Sequence, residues 1–349
     1  MKKKSKRAGA VILILLALIL ALGGVTGYYL YERQKPETAA KAFLHTIQTL
    51  DYDAMTSMIQ SEDLSLLDDL DLRNPAYADF FRSMTEKMTY DITKTKMNLT
   101  DGEAQVTARI NYLDGSEIYK NAVGELLRQI AAASISGSEV TEENLEQIFA
   151  GLLTQAREGA EETYLVTEIT YPMISLDQEW KIKSLDSETL KVLSANFSVM
   201  AQEIGDSVAA AQNGQQVSME KPVAEDALID METDRFRIHY TQFRITKDMA
   251  GKDCLLVYYE YTNKGPDSSC PMLDVSLLAS QGGASLEAAI PETTEPALDL
   301  FIDMTEVAAG ETITVCQAFS LTGMSEVTLK AGDAFAFGGD VTSQILTLE

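Results

Sequence analysis

Hydrophobic and polar positions alternate with different periods in different parts of this chain. A run without charge extends from Ala8 to Tyr31, and the next 150 or so residues mix helical spacing with period two. From residue 230 onward, short segments of period two dominate. Apolar positions three or four apart indicate helices, and alternating ones indicate half-buried strands. The pattern predicts an α+β protein with an N-terminal transmembrane helix, an α+β domain and an all-β domain.

The uncharged run is long enough to cross a bilayer, because about 22 helical residues span roughly 33 Å. Five basic residues precede it, and basic flanks stay on the cytoplasmic side. We therefore predict a cytoplasmic basic head over residues 1–7 and a transmembrane anchor over residues 8–31. The localisation expected is a single-pass cell-membrane protein, with its N-terminus in the cytoplasm and its domains outside the cell. Tyr31 would then lie at the outer interface, where amphipathic rings are favoured.

Two alternatives concern the same segment. Ala21-Leu22-Gly23 has the small-x-small pattern of a signal-peptidase site, so the segment could be removed instead of retained. Gly23 and Gly27 have the G-x-x-x-G spacing that can pair membrane helices. No cysteine lies near the segment, so attachment through a lipidated cysteine is not expected.

Residues 36–187 are predicted to form an α+β domain. A helix is expected after Pro36, and a second one begins at Pro75. Asp101-Gly102 separates two segments of period two, which predicts a hairpin. Two helices and a second pair of strands follow, over residues 116–134, 141–159, 164–174 and 179–185.

The acidic run SEDLSLLDDLDL, residues 61–72, could suggest calcium. It lacks the regular ligand spacing and central glycine of a calcium loop, so a solvated helix face is the preferred interpretation.

The order of these elements, with helices first and then an antiparallel sheet that ends in QEWKIKSL, resembles the NTF2-like (cystatin-like) cone folds. That family follows bacterial membrane anchors and includes enzymes that place an acid and a tyrosine inside the cone. The resemblance implies a cone-shaped α+β fold for residues 36–187. It assigns no catalytic role to a particular residue here.

Residues 188–229 are predicted to be a helix, carrying apolar positions from Leu190 to Ile204, followed by a polar linker. Residues 230–349 contain strands separated by turn signals, over 236–245, 254–263, 272–278, 289–290, 311–321 and 325–329. Such short alternating strands indicate a β sandwich.

The segments FRIHYTQFRITKDMAGKDCLLVYYEYTNKG, PMLDVSLLASQGGASLEAAI and VAAGETITVCQAFSL closely resemble a known bacterial family. It is the domain of unknown function numbered 5067, found at the C-terminus of anchored or lipid-attached proteins. The resemblance implies an immunoglobulin-like sandwich over residues 230–349 and an extracytoplasmic location. It implies no activity.

The charge of the chain limits the classes of partner that it can bind. The net charge is −25, and after residue 35 there are 21 basic and 52 acidic residues, a net of −31. So acidic a surface is repelled by phosphate backbones, which argues against nucleic acid as a partner. The expected partners are the membrane, through residues 8–31, and an envelope protein or glycan.

Candidate chemistry is sparse. The sequence contains no nucleophile elbow, zinc-protease motif, phosphate loop or dinucleotide fingerprint. His45 and His239 are the only histidines, and both are interpreted as structural. Cys254, Cys270 and Cys316 form no metal-ligand pattern, and an odd count outside a membrane could mean one disulfide and one free thiol. Alternation places Cys254 and Cys316 opposite their strands' apolar faces, so free thiols are the preferred expectation. We therefore predict no catalytic, cofactor-binding or metal-binding residues and no cofactor.

Four tyrosines of the last domain, Tyr240, Tyr258, Tyr259 and Tyr261, could form a recognition surface. Alternation buries Tyr259 and Tyr261, so core packing is preferred. The leading hypothesis is a non-catalytic, membrane-anchored binding protein of the bacterial envelope. One alternative is an enzyme or small-molecule carrier that uses the cavity of the first domain. Another is a spacer paired through Gly23 and Gly27.

Overall fold

The computed structural model describes residues 31–61, 74–98, 100–138, 141–212, 227–292, 302–338 and 340–348. The predicted basic head, the transmembrane segment up to residue 30 and nearly all of the acidic run lie outside these ranges, as do Gly23 and Gly27. Among the helices of the described ranges, none has both the length and the apolar character needed to cross a bilayer.

The chain packs into two compact units. One contains the residues up to Tyr119 together with Leu153–Gln202, and the other contains Lys120–Leu152 together with Glu203–Glu349. We call them the first and second unit. The domain boundaries predicted from the sequence, 36–187 and 230–349, stay predictions.

The helices have the following bounds. The described part of α1 covers residues 31–49. It is followed by α2 (Tyr52–Ser57), α3 (Pro75–Thr85), α4 (Ser116–Ser136), α5 (Glu142–Gly159), α6 (Ser187–Leu193) and α7 (Phe197–Gln212). We had predicted that this helix begins after Pro36. The chain is already helical at residue 31, so Pro36 lies within α1. Proline has a helical φ, and the cost of its missing N–H is greatest deep inside a helix.

The connector between the predicted domains is two helices instead of one. Ala195 and Asn196 adopt positive φ angles of 47° and 71°, and they separate α6 from α7. The Asn196 amide donates to the Ser116 hydroxyl at 2.8 Å, which holds this uncommon conformation in place. Asparagine tolerates left-handed backbone better than most residues, and this local turn overrides the helical spacing of the sequence.

The first unit contains one antiparallel sheet in the order β1-β2-β3-β4. Its strands are β1 (Thr89–Asn98), β2 (Glu103–Leu113), β3 (Tyr164–Leu176) and β4 (Glu179–Ile182). The predicted hairpin at Asp101-Gly102 is present, with Asn98 paired to Glu103. On β2 the buried side chains alternate with more exposed ones, so one sheet face is packed and the other is open.

The second unit contains two four-stranded antiparallel sheets, in the orders β10-β7-β6-β5 and β12-β11-β8-β9. The strands are β5 (Asp230–Glu232), β6 (Phe236–Lys247), β7 (Asp253–Asn263), β8 (Val275–Gln281), β9 (Ala284–Ser285), β10 (Thr312–Ser320), β11 (Val327–Asp333) and β12 (Val341–Leu346). A short helix, α8 (Pro271–Asp274), precedes β8. The predicted β sandwich is confirmed, and one hydrophobic cluster that includes Phe236, Tyr261 and Leu329 forms its core.

Three expectations about individual strands need correction. The strand predicted over 272–278 begins only at Val275, because Pro271–Asp274 forms α8. The strand predicted at Ala289–Ile290 is only an isolated bridge, between Ala288 and Phe319. The last strand, β12, was not predicted, although it pairs with β11 along its whole length. Its sequence VTSQIL has just three apolar residues, and pairing with β11 compensates for this weak local signal.

Candidate functional site

The interior of the first unit is packed with side chains. Tyr171 on β3 is 1% exposed, and its ring meets Phe43 of α1 edge-on, with 5.5 Å between the ring centres. Further side chains of the first unit are fully buried: Leu44, Ile47, Met55, Met84, Met88 and Ile110. A substrate would have to displace packed side chains to reach the Tyr171 hydroxyl.

Asp186, whose charge acts on Tyr171, is the N-cap of α6. Its Oδ1 accepts hydrogen bonds from the backbone N–H and the hydroxyl of Thr189, both at 2.9 Å. Burial raises the pKa of Tyr171, so its hydroxyl stays protonated at physiological pH. Asp186 therefore caps α6, and Tyr171 packs in the interior.

The opposite face of the same sheet is open. Asp91, Arg109 and Glu168 lie side by side across β1, β2 and β3, and all three are exposed. On the same β2 and β3 strands, the hydroxyls of the next cross-strand pair on this face, Thr107 and Thr170, form a hydrogen bond of 2.9 Å. This row of alternating charge lies beside apolar side chains on β3. Tyr164 and Val166 are 43% and 54% exposed. We call this surface the open sheet face.

Both hairpin turns of the sheet lie at one end, which we call the turn end. An open groove of about 360 Å³ follows the β1–β2 hairpin, where Lys183 pairs with Glu103 at 2.9 Å. A second open groove, of about 430 Å³, runs between α1 and the β3–β4 hairpin. Its lining includes Tyr31, Lys35, Thr38, Gln178 and Trp180. Lys35 lies over the Tyr31 ring, with 5.3 Å from Nζ to the ring centre, and pairs with Glu32 at 2.7 Å.

The second unit has a buried cluster of charged side chains centred on Arg128 of α4. Arg128 donates through Nη1 to Asp274 and to the carbonyl of Leu273, and through Nη2 to Asp333 at 2.8 Å. The Tyr261 hydroxyl donates to the second oxygen of Asp274. The Arg128 side chain is 10% exposed, and those of Asp274 and Asp333 are 3% and 9% exposed.

Arg235 completes this cluster at its more exposed side. Its guanidinium donates to Glu125 at 3.1 Å and to Asp333. Burial alone would raise the pKa of Asp333, but the Phe335 backbone N–H and the charges of Arg128 and Arg235 outweigh it and hold that pKa below its usual value. Asp333 therefore stays ionised at neutral pH, paired with both arginines. This arrangement fixes α4, α8 and β11 against one another within the unit.

The residues considered from the sequence do not converge on a site. His45 is exposed on α1, with Nδ1 3.3 Å from the Gln48 side-chain oxygen. His239 is 3.5 Å from Asp230 on the neighbouring strand. In the described part of the chain, no group of three or more His, Cys, Asp or Glu side chains could hold a metal ion.

The cysteines are free, as predicted. Cys254, however, is fully buried. Leu256, on the same face of β7, is buried too, so the strand is covered on both faces. Burial raises the pKa values of Cys254 and Cys316 to about 11, so both are protonated thiols at neutral pH.

Of the four tyrosines, Tyr259 and Tyr261 are buried as predicted. Tyr240 and Tyr258 are partly buried, so neither offers a freely exposed ring.

Sequence reasoning missed the Arg128 cluster. A single arginine in the apolar stretch ELLRQIAAAS was the available signal, since a charge on a buried helix face requires partners. Glu125 lies one helical turn before Arg128, but the other partners are 145 to 205 residues away in the sequence, and no spacing rule connects those to it.

Comparison with solved structures finds distant resemblances. A candidate lipoprotein of Staphylococcus aureus matches at 14% identity and a TM-score of 0.30, covering 38% of this chain and 94% of its own. An uncharacterized β-sandwich protein of Clostridium difficile matches at 13% identity and a TM-score of 0.28, covering 38% and 99%. A protein of Enterococcus faecalis matches at 22% identity and a TM-score of 0.30, covering 36% and 93%.

No curated protein matches the chain. A family model described as "Domain of unknown function (DUF5067)" matches residues 206–333. The resemblance inferred from the strand and turn segments is thereby confirmed, and this C-terminal part of the chain carries a domain of unknown function 5067.

Proposed function

We propose that this protein is a non-catalytic, membrane-anchored binding protein of the bacterial cell envelope. Residues 8–31 anchor it, with the N-terminus in the cytoplasm, and both units lie outside the cell. The first unit is a filled cone of the NTF2-like class, and the second is an immunoglobulin-like sandwich. Both are scaffolds on which binding surfaces commonly occur.

The open sheet face is the observation that carries this proposal. It combines the exposed charge row of Asp91, Arg109 and Glu168 with two exposed apolar side chains, Tyr164 and Val166. A mixed polar and apolar surface on a rigid sheet is suited to recognising a protein or a glycan. The titratable groups inside both units serve packing, capping or ion pairing, which supports a binding role over a catalytic one.

The test is capture of partners from envelope extracts by the full chain, solubilised in detergent. Arg109→Glu and Val166→Asp change the open sheet face and should each reduce the captured material at least about tenfold, as loss of a central contact does. Arg82→Glu is the matched control, because Arg82 is exposed on α3 and its ion pair with Asp79 is a surface contact. Equal capture by all three variants, or no reproducible partner for the wild type, would contradict the proposal.

A further inference from the structure

Trp180 and Tyr31 line the same groove at the turn end of the first unit. Trp180 is the single tryptophan of the chain, and Tyr31 is 63% exposed at the first described turn of α1. The two rings come from segments about 150 residues apart in sequence. Their meeting in one groove places the two aromatic side chains on the same side of the unit.

The position of Trp180 in the sheet shows which end of the unit this is. Trp180 pairs with Ser175, two residues after Met173 and close to the C-terminal end of β3. The β1–β2 hairpin lies at this end as well, because Glu103 pairs with Ile174. Leu176, at the last position of β3, is 37% exposed. At the turn end Leu176 and Tyr31 are therefore exposed, and the partly buried Trp180 lines the groove beside α1.

Tyr31 connects this end of the unit to the predicted anchor. It is the last residue of the uncharged stretch that begins at Ala8, and α1 continues without a break from residue 31 to residue 49. If residues 8–31 span a bilayer, Tyr31 lies where the chain leaves it. The groove, which follows α1 from Tyr31 to Ala42, then begins at that point and extends about 16 Å from it, at 1.5 Å per helical residue.

We propose that the turn end of the first unit rests on the outer surface of the phospholipid bilayer, with Trp180 and Tyr31 at the level of the lipid headgroups. This inference rests on the proposed membrane anchor. Indole and phenol rings are favoured at that depth, because their apolar bodies face the acyl chains while their N–H or O–H group stays hydrated. Away from the bilayer, the aromatic rings of this groove would lack the mixed polar and apolar surroundings of the headgroup region.

Charge contributes little to this contact. Lys35, Lys181 and Lys183 lie near the turn end, but the hairpin also carries the acidic residues Asp177 and Glu179. Aromatic insertion therefore dominates over attraction to anionic lipid, and the contact should persist in zwitterionic vesicles and in high salt.

Fluorescence of the full chain reconstituted into phosphatidylcholine vesicles tests this, since Trp180 is the only tryptophan. Lipids brominated near the headgroup should quench it at least about twofold more than lipids brominated near the bilayer centre, as expected for an interfacial ring. The double variant Trp180→Phe, Tyr164→Trp is the matched control. It moves the reporter eleven residues along β3, about 36 Å from the turn end, to an exposed position.

The outcomes test the proposed anchor and the proposed membrane contact of the turn end separately. Headgroup-level quenching of the wild type, absent in the double variant, supports the inference. A protein that floats with the vesicles while its Trp180 is unquenched retains the anchor and overturns the contact. A protein that does not float overturns both the proposed anchor and this inference. The wild-type measurement stands by itself if the double variant does not fold.

Discussion

Arg128 and Asp333 lie 205 residues apart in the sequence, and their side chains form an ion pair of 2.8 Å inside the second unit. The arginine is on α4, and the aspartate ends β11. Both side chains are at most 10% exposed. Buried charges are costly to desolvate and are tolerated only when each has a partner. The stability of this unit should therefore depend on keeping the whole cluster together.

Arg128→Met tests this dependence. The methionine keeps an unbranched apolar stem of similar reach but leaves Asp274 and Asp333 buried without their common cation. Breaking a buried pair in this way costs about 3–5 kcal/mol of unfolding free energy. Hydrogen exchange of the peptides from β8 and β11 should become correspondingly faster, and the urea midpoint followed by circular dichroism should fall.

Arg237→Met is the control for this substitution. Arg237 pairs with Asp230 at 3.2 Å, but both side chains are nearly half exposed. A solvated pair of this kind contributes about 0–1 kcal/mol. Equal effects of the two substitutions would show that the burial of the Arg128 cluster has no energetic consequence.

Tyr261 and Tyr259 offer a matched pair of hydroxyl deletions on one face of β7. Tyr261 donates to Asp274, whereas the buried hydroxyl of Tyr259 has no hydrogen-bond partner. Tyr261→Phe should lower the unfolding free energy by about 1–3 kcal/mol, because Asp274 loses a donor. Tyr259→Phe should be neutral or stabilising, since it removes an unsatisfied buried group.

Urea denaturation of the two phenylalanine variants measures this difference. Both rings keep their packing, so the contrast isolates the hydroxyl groups. A Tyr259→Phe variant that is as unstable as Tyr261→Phe would show that the Tyr259 hydroxyl has a partner in solution.

The β sandwich could be predicted from the sequence because its strands carry their own signals. On β7 the alternation of Leu255, Val257, Tyr259 and Tyr261 identifies the buried face before any neighbour is known. Strand β12 could not be predicted in this way, since its position depends on pairing with β11. The break at Ala195 and Asn196 was also missed, because a left-handed turn within an apolar helical pattern depends on contacts with Ser116.

The candidate surfaces were harder to predict from the sequence than the fold. In the sequence, Tyr31 is an aromatic residue at the end of the uncharged run, and Trp180 is one in the segment QEWKIKSL. Tertiary packing brings them to a common groove. The same is true of Arg128, whose partners come from three separate stretches of the chain. Local periodicity specifies which face of an element is buried, and it does not specify which distant side chains meet there.

The ionisation of Asp333 should make the unfolding free energy of the second unit depend on pH. Its pKa is lowered in the folded state, so it contributes stability above its unfolded value of about 3.9 and loses that contribution as the pH falls through the lower folded pKa. Urea midpoints of wild type and Asp333→Asn should differ most at pH 7 and converge as the pH falls below about 4. A difference that stays constant between neutral and acidic pH would mean that ionisation of Asp333 does not stabilise the unit.

Gly124 and Gly151 provide the sharpest contrast in packing, since both are helical glycines of the second unit. A Cβ on Gly124 of α4 would lie 2.4 Å from the carbonyl oxygen of Phe335, whereas one on Gly151 of α5 would meet no atom within 4 Å. Gly124→Ala should therefore force backbone apart and cost about 1–3 kcal/mol. Gly151→Ala should stabilise by about 0.5–1 kcal/mol through helix propensity. Thermal and urea unfolding of both variants would show these opposite signs, and a stabilising Gly124→Ala would mean that α4 does not approach the Phe335 carbonyl so closely.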